Sequence, residues 1–554
     1  MSVSQQGNGG GSAGGSWLAG LRRTKSVEQS IRDTDEPETK LRKDLTSWDL
    51  TVFGVAVVIG AGIFTLTART AGNVAGPSVS AAFVIAAIAC GLAALCYAEF
   101  ASTVPVAGSA YTFSYATFGE FAAWIIGWDL ILEFALASSV VAKGWSLYLG
   151  EVLAGLEVVD LRARVEIGSL TFDWGAVLIV AIISVILVSG TKLSSRVSLV
   201  ITAIKVGVVI LVVVVGAFYI DGSNYSPYIP PSEPGDTGEG IHQSLFSFVT
   251  GAGGSTFGWY GLLAAASLVF FAFIGFDVVA TTAEETKNPQ RALPRGILGS
   301  LAIVTVLYVA VTLVLTGMVN YTDLAGEDSN LATAFGLHGI TWAKNVIAFG
   351  ALAGLTTVVM VLMLGQTRVL FAMSRDGLMP RALAPTGTRG TPVRITVIVG
   401  AVVAVLAGFF PIGTLEEMVN IGTLFAFVLV SLGVIVLRRT RPDLPRGFRV
   451  PFVPWVPILA VLACLWLMVN LSVETWIRFL VWMALGVVVY FVYSRRHSVL
   501  GRAARGERPD SFHRRREPVG GADPVRTETV RTDRETIDRE SGETTDPRDE
   551  GDVR

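Results

Sequence analysis

Lys205 stands about nine residues into the apolar run VSLVITAIKVGVVILVV, with no acid within four residues of it along the chain. An ionisable side chain at such depth in hydrocarbon costs about 2.5–3.5 kcal/mol on insertion scales, so it needs a partner or a task. Its stem is too short to snorkel to either interface. Asp129 and Glu133 occupy a second apolar run, four residues apart and therefore on one helical face. Asp277 follows Gly275 in a third run, SLVFFAFIGFDVVATTAEE. Proton or ion handling is the chemistry that such residues carry in lipid. Lys143 lies near the end of its run and reads as a snorkelling lysine. Glu284 and Glu285 end the third run and are placed to latch onto Arg368 or Arg375. The histidines, His242, His338, His497 and His513, fall outside the apolar runs, which excludes a histidine proton relay. Cys90, Cys96 and Cys464 lie inside apolar runs with no disulfide or metal-ligand spacing.

The backbone offers chemistry of its own at two places. Gly60, Ala61 and Gly62 sit at the centre of TVFGVAVVIGAGIFTLTA, and Gly275 sits at the centre of the run that holds Asp277. Unwinding a helix in lipid bares N–H and C=O groups, at several kcal/mol each unless a ligand or cavity satisfies them. Glycine permits the unwound geometry. A half-helix N-terminus then offers amides to an anion, and carbonyl ends suit an ammonium. A zwitterionic amino acid matches both. The alternative, seams of small residues that let helices approach closely, explains either motif alone better than both together.

The elements that must position these groups are membrane helices. Of the 554 residues 52% are hydrophobic and 16% charged, with a mean hydropathy of +0.58, whereas soluble domains carry about 25% charge. A span needs about 20 apolar residues. Such runs fall at 49–69, 77–103, 120–150, 172–190, 197–219, 259–284, 296–319, 341–373, 391–410, 413–439, 449–470 and 473–495. The broken runs are the first and the sixth, which is the signature of two inverted repeats with interrupted lead helices. Arg42, Lys43, Lys192, Lys287, Arg381, Arg438, Arg446 and Arg495 cluster in alternate connections, while the others lean acidic, as at Asp221, Glu233 and Asp323. Both termini are therefore expected in the cytoplasm. Residues 1–47, which open on the Gly/Ser/Gln-rich MSVSQQGNGGGSAGGS and are otherwise charged, and the mixed-charge residues 497–554 read as disordered tails. The chain carries no phosphate-binding loop, no Ser-His-Asp set and no zinc spacing, so neither an enzyme nor a cofactor or metal is expected. Nothing in the charge pattern suggests nucleic acid. The partners expected are a small-molecule substrate, protons and the lipid bilayer.

Four segments carry a family resemblance: VIGAGIF at 58–64, Tyr97–Leu149, FFAFIGFDVVATTAEETKNPQRALP at 270–294, and GQTRVLFAMSRDGLMP at 365–380. Together they resemble the cationic amino acid transporter family of the amino acid–polyamine–organocation superfamily, in its shorter bacterial form. The resemblance covers about residues 45–495. It implies an all-α, polytopic 5+5 inverted-repeat fold of about twelve helices. Repeat one would span 48–220 and repeat two 255–440, with two additional helices at 441–496. It also implies that the substrate carboxylate meets Gly60, Ala61 and Gly62, with Ile63 beside them. The ammonium would meet carbonyls around Ile59, Phe271, Ala272 and Ile274. Phe271 would be an aromatic outer gate, Phe276 a pocket wall, and Asp277 a cap or gate of the inner half-helix. In related proton-coupled permeases a fifth-helix lysine stands where sodium-coupled relatives hold an ion, which assigns coupling to Lys205, with Glu133 as its partner or as a relay.

The expected function is secondary transport of an amino acid by alternating access through the plasma (inner) membrane, proton-coupled and sodium-independent. The alternatives are an amino acid or polyamine exchanger, or a nutrient receptor on the same fold that does not transport.

Overall fold

The computed structural model describes residues 44–104, 109–155, 164–167, 170–190, 195–234, 240–251, 255–326, 328–385 and 391–505. The tails expected at 1–47 and 497–554 lie mostly outside these residues, as do Lys192 and His513 and the side chain of Glu284. Within them the chain is an all-α, polytopic membrane protein. The helices that fall on the apolar runs are α1 (Ser47–Val58), α2 (Val79–Thr103), α3 (Glu120–Gly155), α4 (Trp174–Ser189), α5 (Ser195–Gly216) and α6 (Gly258–Val269). They continue as α7 (Pro289–Met318), α8 (Thr341–Arg375), α9 (Val393–Phe409), α10 (Ile412–Thr440), α11 (Trp455–Val469) and α12 (Val473–Val489). The stretch Ser47–Thr103 runs 57 residues. At about 1.5 Å per residue that is far more than one crossing of a core about 30 Å thick, so it makes two passes. The only strands among the described residues are two short antiparallel pairs, Arg164–Ile167 with Leu170–Asp173 and Glu233–Pro234 with Ser255–Thr256.

Helix 1 starts on a capping box: Thr46 Oγ1 accepts from Asp49 N–H (3.3 Å), and Asp49 Oδ2 accepts from Thr46 N–H (2.9 Å). Helices 1 and 6 then lose regular winding where the glycines allow it. After Ile59, helix 1 continues through wide turns at Gly62–Leu66 and Ala71–Ala75. Helix 6 tightens to 3₁₀ winding at Phe270–Phe273, opens at Ile274–Phe276 and resumes at Asp277–Glu285.

Three pairs of helices five places apart in chain order pack on one another: α3 on α8, α2 on α7, and α4 on α9. The ends sort into two sets. On one side Asp44 and Leu45 N–H donate to Glu285 O, Arg438 holds Glu99, and Ser494 bonds Leu378 O. On the other Asn73 meets Gly326, Ser80 meets Tyr228, and Lys344 pairs with Glu151. Each set contains only segments that the charge pattern assigns to one face.

Candidate functional site

Gly275 marks the break in helix 6. Its φ of +119° is a conformation that side chains disfavour, and a Cβ there would stand 2.9 Å from Val57. Gly62 marks the closest approach of the two broken helices, because a Cβ on it would run into the backbone and side chain of Ala272. Ile59 N–H closes the incoming α1 on Val55 O (3.0 Å), and across the break Phe64 N–H reaches Gly60 O (3.4 Å).

Freed carbonyls find side-chain donors. Tyr308 of α7 gives its hydroxyl to Val58 O (2.7 Å). Lys205 of α5, fully buried, donates Nζ to Ala56 O and to Ile59 O (3.3 Å). A cation at the C-terminal end of α1 complements the negative pole of that half-helix. Lys205 therefore anchors on backbone, and no charged side chain among the described residues acts on it. Glu133, expected as its partner, lies elsewhere. It lies near Thr423 of α10 and close to Asp277 and Asp129. Asp129 is buried beside Gly422 with neither carboxylate oxygen hydrogen-bonded among the described residues. Asp277 is the first residue of the resumed turn and is buried, with Oδ1 unpartnered among the described residues, and no side chain caps that helix start.

Between the broken helices is a cavity of about 20 Å³, room for about one water molecule. Of the residues named from the sequence, Gly60, Ala61, Gly62, Phe271 and Ile274 line it. Ile59, Ile63, Ala272 and Phe276 do not. The Ile59 carbonyl is engaged by Lys205, and Phe271 O accepts from Ile274 N–H (3.2 Å). Phe276 packs away from the cavity, its ring 6.2 Å from Tyr97 and 5.2 Å from Phe427. The remaining walls come from residues that the sequence left unmarked: Val57 and Val58 of α1, Ala137 and Val141 of α3, and Val358 and Leu362 of α8. Each is an ordinary apolar residue in an apolar helix, and the packing of α1, α3 and α8 turns it inward.

Lys143 differs from expectation, whereas Glu285 meets Arg368, one of the two arginines expected as its partner. Lys143 does not snorkel; it is buried, donating to Ala407 O (2.9 Å) with Asp173 at 3.6 Å. Arg368 and Glu285 approach to 3.8 Å, both partly exposed, the long limit of an ion pair.

Residues 45–492 match the family model described as amino acid permease. The chain belongs to the amino acid permease family. Its relatives place it in the amino acid–polyamine–organocation superfamily. It is similar to a branched-chain amino acid permease of Bacillus subtilis, 45% identical over 487 residues, covering 87% of this chain and 99% of the relative. A methylthioribose transporter of the same organism is 42% identical, covering 88% and 100%. A vacuolar cationic amino acid transporter of Arabidopsis thaliana is 30% identical, covering 87% and 97%.

Proposed function

We propose that this chain carries a neutral, branched aliphatic amino acid across the plasma (inner) membrane by alternating access, in symport with protons and without sodium. Amino acid transport follows from the family. The narrower substrate class rests on one observation: every side chain lining the cavity is aliphatic or a phenylalanine, and the only polar groups there are backbone. A guanidinium or ammonium side chain would be left unpaired there. The backbone opened at Gly60–Gly62 supports carboxylate recognition, and the carbonyls around the breaks keep a second lone pair for the substrate ammonium. With so little space in the closed cavity, the helices must part to admit substrate, and Phe271 and Asp277 are the residues placed to gate that motion. Lys205 carries the coupling in this reading, and the Glu133–Asp277–Asp129 group is a separate acidic centre. The pairwise packing of helices supports repeats at 48–220 and 255–440, followed by two further helices at 441–496. The segregated Arg and Lys residues support cytoplasmic termini. No catalytic role is assigned.

A second reading has one finding behind it. A relative 42% identical is named for methylthioribose, whose methylthio group an apolar wall would hold as well as a branched side chain. A thermal-shift panel of the purified protein separates the two. A ligand at a hundred times its Kd stabilises the folded state by about 2.7 kcal/mol, so leucine, isoleucine and valine should raise the melting temperature by several degrees. Arginine and spermidine should not. A larger shift with methylthioribose than with leucine favours the second reading, and one with arginine overturns both. Uptake into proteoliposomes distinguishes a permease from a receptor, and counterflow without a proton gradient distinguishes exchange from symport.

A further inference from the structure

Lys205 must cross from α5 to the broken end of α1, and its stem passes directly over α8. A Cβ placed on Gly354 of α8 would collide with Lys205 Cδ and stand 2.5 Å from its Cγ. We propose that Gly354 is a positioning residue for Lys205: its bare backbone is the channel along which the stem delivers Nζ to the Ala56 and Ile59 carbonyls. The inference rests on the reading of Lys205 as the coupling residue.

The geometry ties coupling to substrate through one helix. Val358, one turn beyond Gly354 on α8, lines the cavity, and a Cβ on Gly60 would stand 3.4 Å from it. Among the described residues Lys205 Nζ is held by the Ala56 and Ile59 carbonyls of α1, its stem lies against Gly354 of α8, and no acid pairs with it. Nothing else would therefore hold the ammonium if its stem were pushed aside. Forcing one methylene into packed contact shifts rotamers and backbone rather than being absorbed.

The test compares Gly354→Ala with Gly350→Ala. Gly350 lies one turn away on the same face of α8, and a Cβ there would meet Val208 of α5, not the lysine. Both changes crowd the same helix pair, but only the first displaces Lys205. In proteoliposomes, Gly354→Ala should lower proton-driven accumulation by about tenfold or more, the scale of effect expected of overpacking. Leucine counterflow without a gradient should stay within about threefold. Gly350→Ala should lower both together or neither. Equal behaviour of the two variants overturns the proposal. Lys205→Ala is measured alongside: if it leaves proton-driven uptake intact, the coupling reading itself fails, and the Gly354 proposal falls with it. Should Gly354→Ala not fold, the double variant with Lys205→Ala decides, since contacting residues couple in a mutant cycle. Recovery of the fold in the double variant supports the contact, and misfolding in both backgrounds overturns it.

Discussion

Among single residues, Lys205 has the most unusual surroundings: full burial, no counter-charge, and two backbone carbonyls as its partners. Removing the donor from the Ala56 and Ile59 carbonyls costs about 1–3 kcal/mol for each group left unmet, less than the stability of a whole fold. Lys205→Ala should therefore fold and still bind leucine in a thermal-shift assay, yet lose accumulation driven by an inward proton gradient by about tenfold or more, since each lost 1.4 kcal/mol of coupling is tenfold. Intact accumulation would refute the assignment. This residue was legible in the sequence because a lysine in an apolar run is conspicuous whatever the fold. Its partner was not. Glu133 looked suitable by charge alone, but α3 turns it toward Thr423 and the other acids, and the acceptors of Lys205 are carbonyls, which every residue carries. Val358 and Leu362 were invisible for the same reason, since they differ from other apolar residues only in where α8 points them.

For the elements, the question is how two interrupted helices survive in lipid. Each opened carbonyl needs a donor, and the structure supplies them from neighbouring intact helices: Tyr308 from α7 for Val58, Lys205 from α5 for Ala56 and Ile59. Tyr308→Phe keeps the ring contacts with Phe83 and Phe273 and removes only the hydroxyl. Leaving a buried carbonyl unmet costs about 1–3 kcal/mol, so the variant should melt several degrees lower and transport more slowly. An unchanged melting temperature would mean that water or a shifted backbone meets Val58 O instead. The breaks themselves were readable. Gly275 adopts a φ suited to glycine, and the GAG triplet sits where α1 stops. The extent of the break was not, because the wide turns running to Ala75 occupy residues with no unusual propensity and are set by what packs around them.

Over the whole molecule, the two faces are closed by interactions of unequal strength. On the face assigned outward, Arg69 in the outer half of helix 1 pairs with Glu416 at the start of α10, and Glu416 is 1% exposed. Asn73 also ties helix 1 to the connection at Gly326. On the opposite face, the strongest charge contact, Glu99 with Arg438 and Arg446, joins α2 to α10 and the following loop without touching a broken helix. The broken helices are joined there by backbone, Leu45 and Asp44 to Glu285, and their link to α8 is the long, half-exposed Arg368–Glu285 contact. An exposed pair is worth about 0–1 kcal/mol, whereas breaking a buried one costs about 3–5 kcal/mol. The closed form should therefore open inward more readily than outward. Arg and Lys counts suffice to assign the two faces, but this imbalance could not be read from them, because Arg69 and Glu416 stand far apart in sequence and neither is unusual for its helix end. Glu416→Gln keeps the shape of the side chain and removes its charge. It should make the outward-open form more populated, read as faster labelling of a cysteine placed at Ala137 by an impermeant maleimide added outside. The native Cys90, Cys96 and Cys464 are buried and should contribute little background. Since each 1.4 kcal/mol shifts a two-state equilibrium tenfold, losing even part of the pair should raise the rate by about tenfold. Labelling as slow as in the parent protein would show that the connection over helix 1, and not the ion pair, keeps the outer face shut.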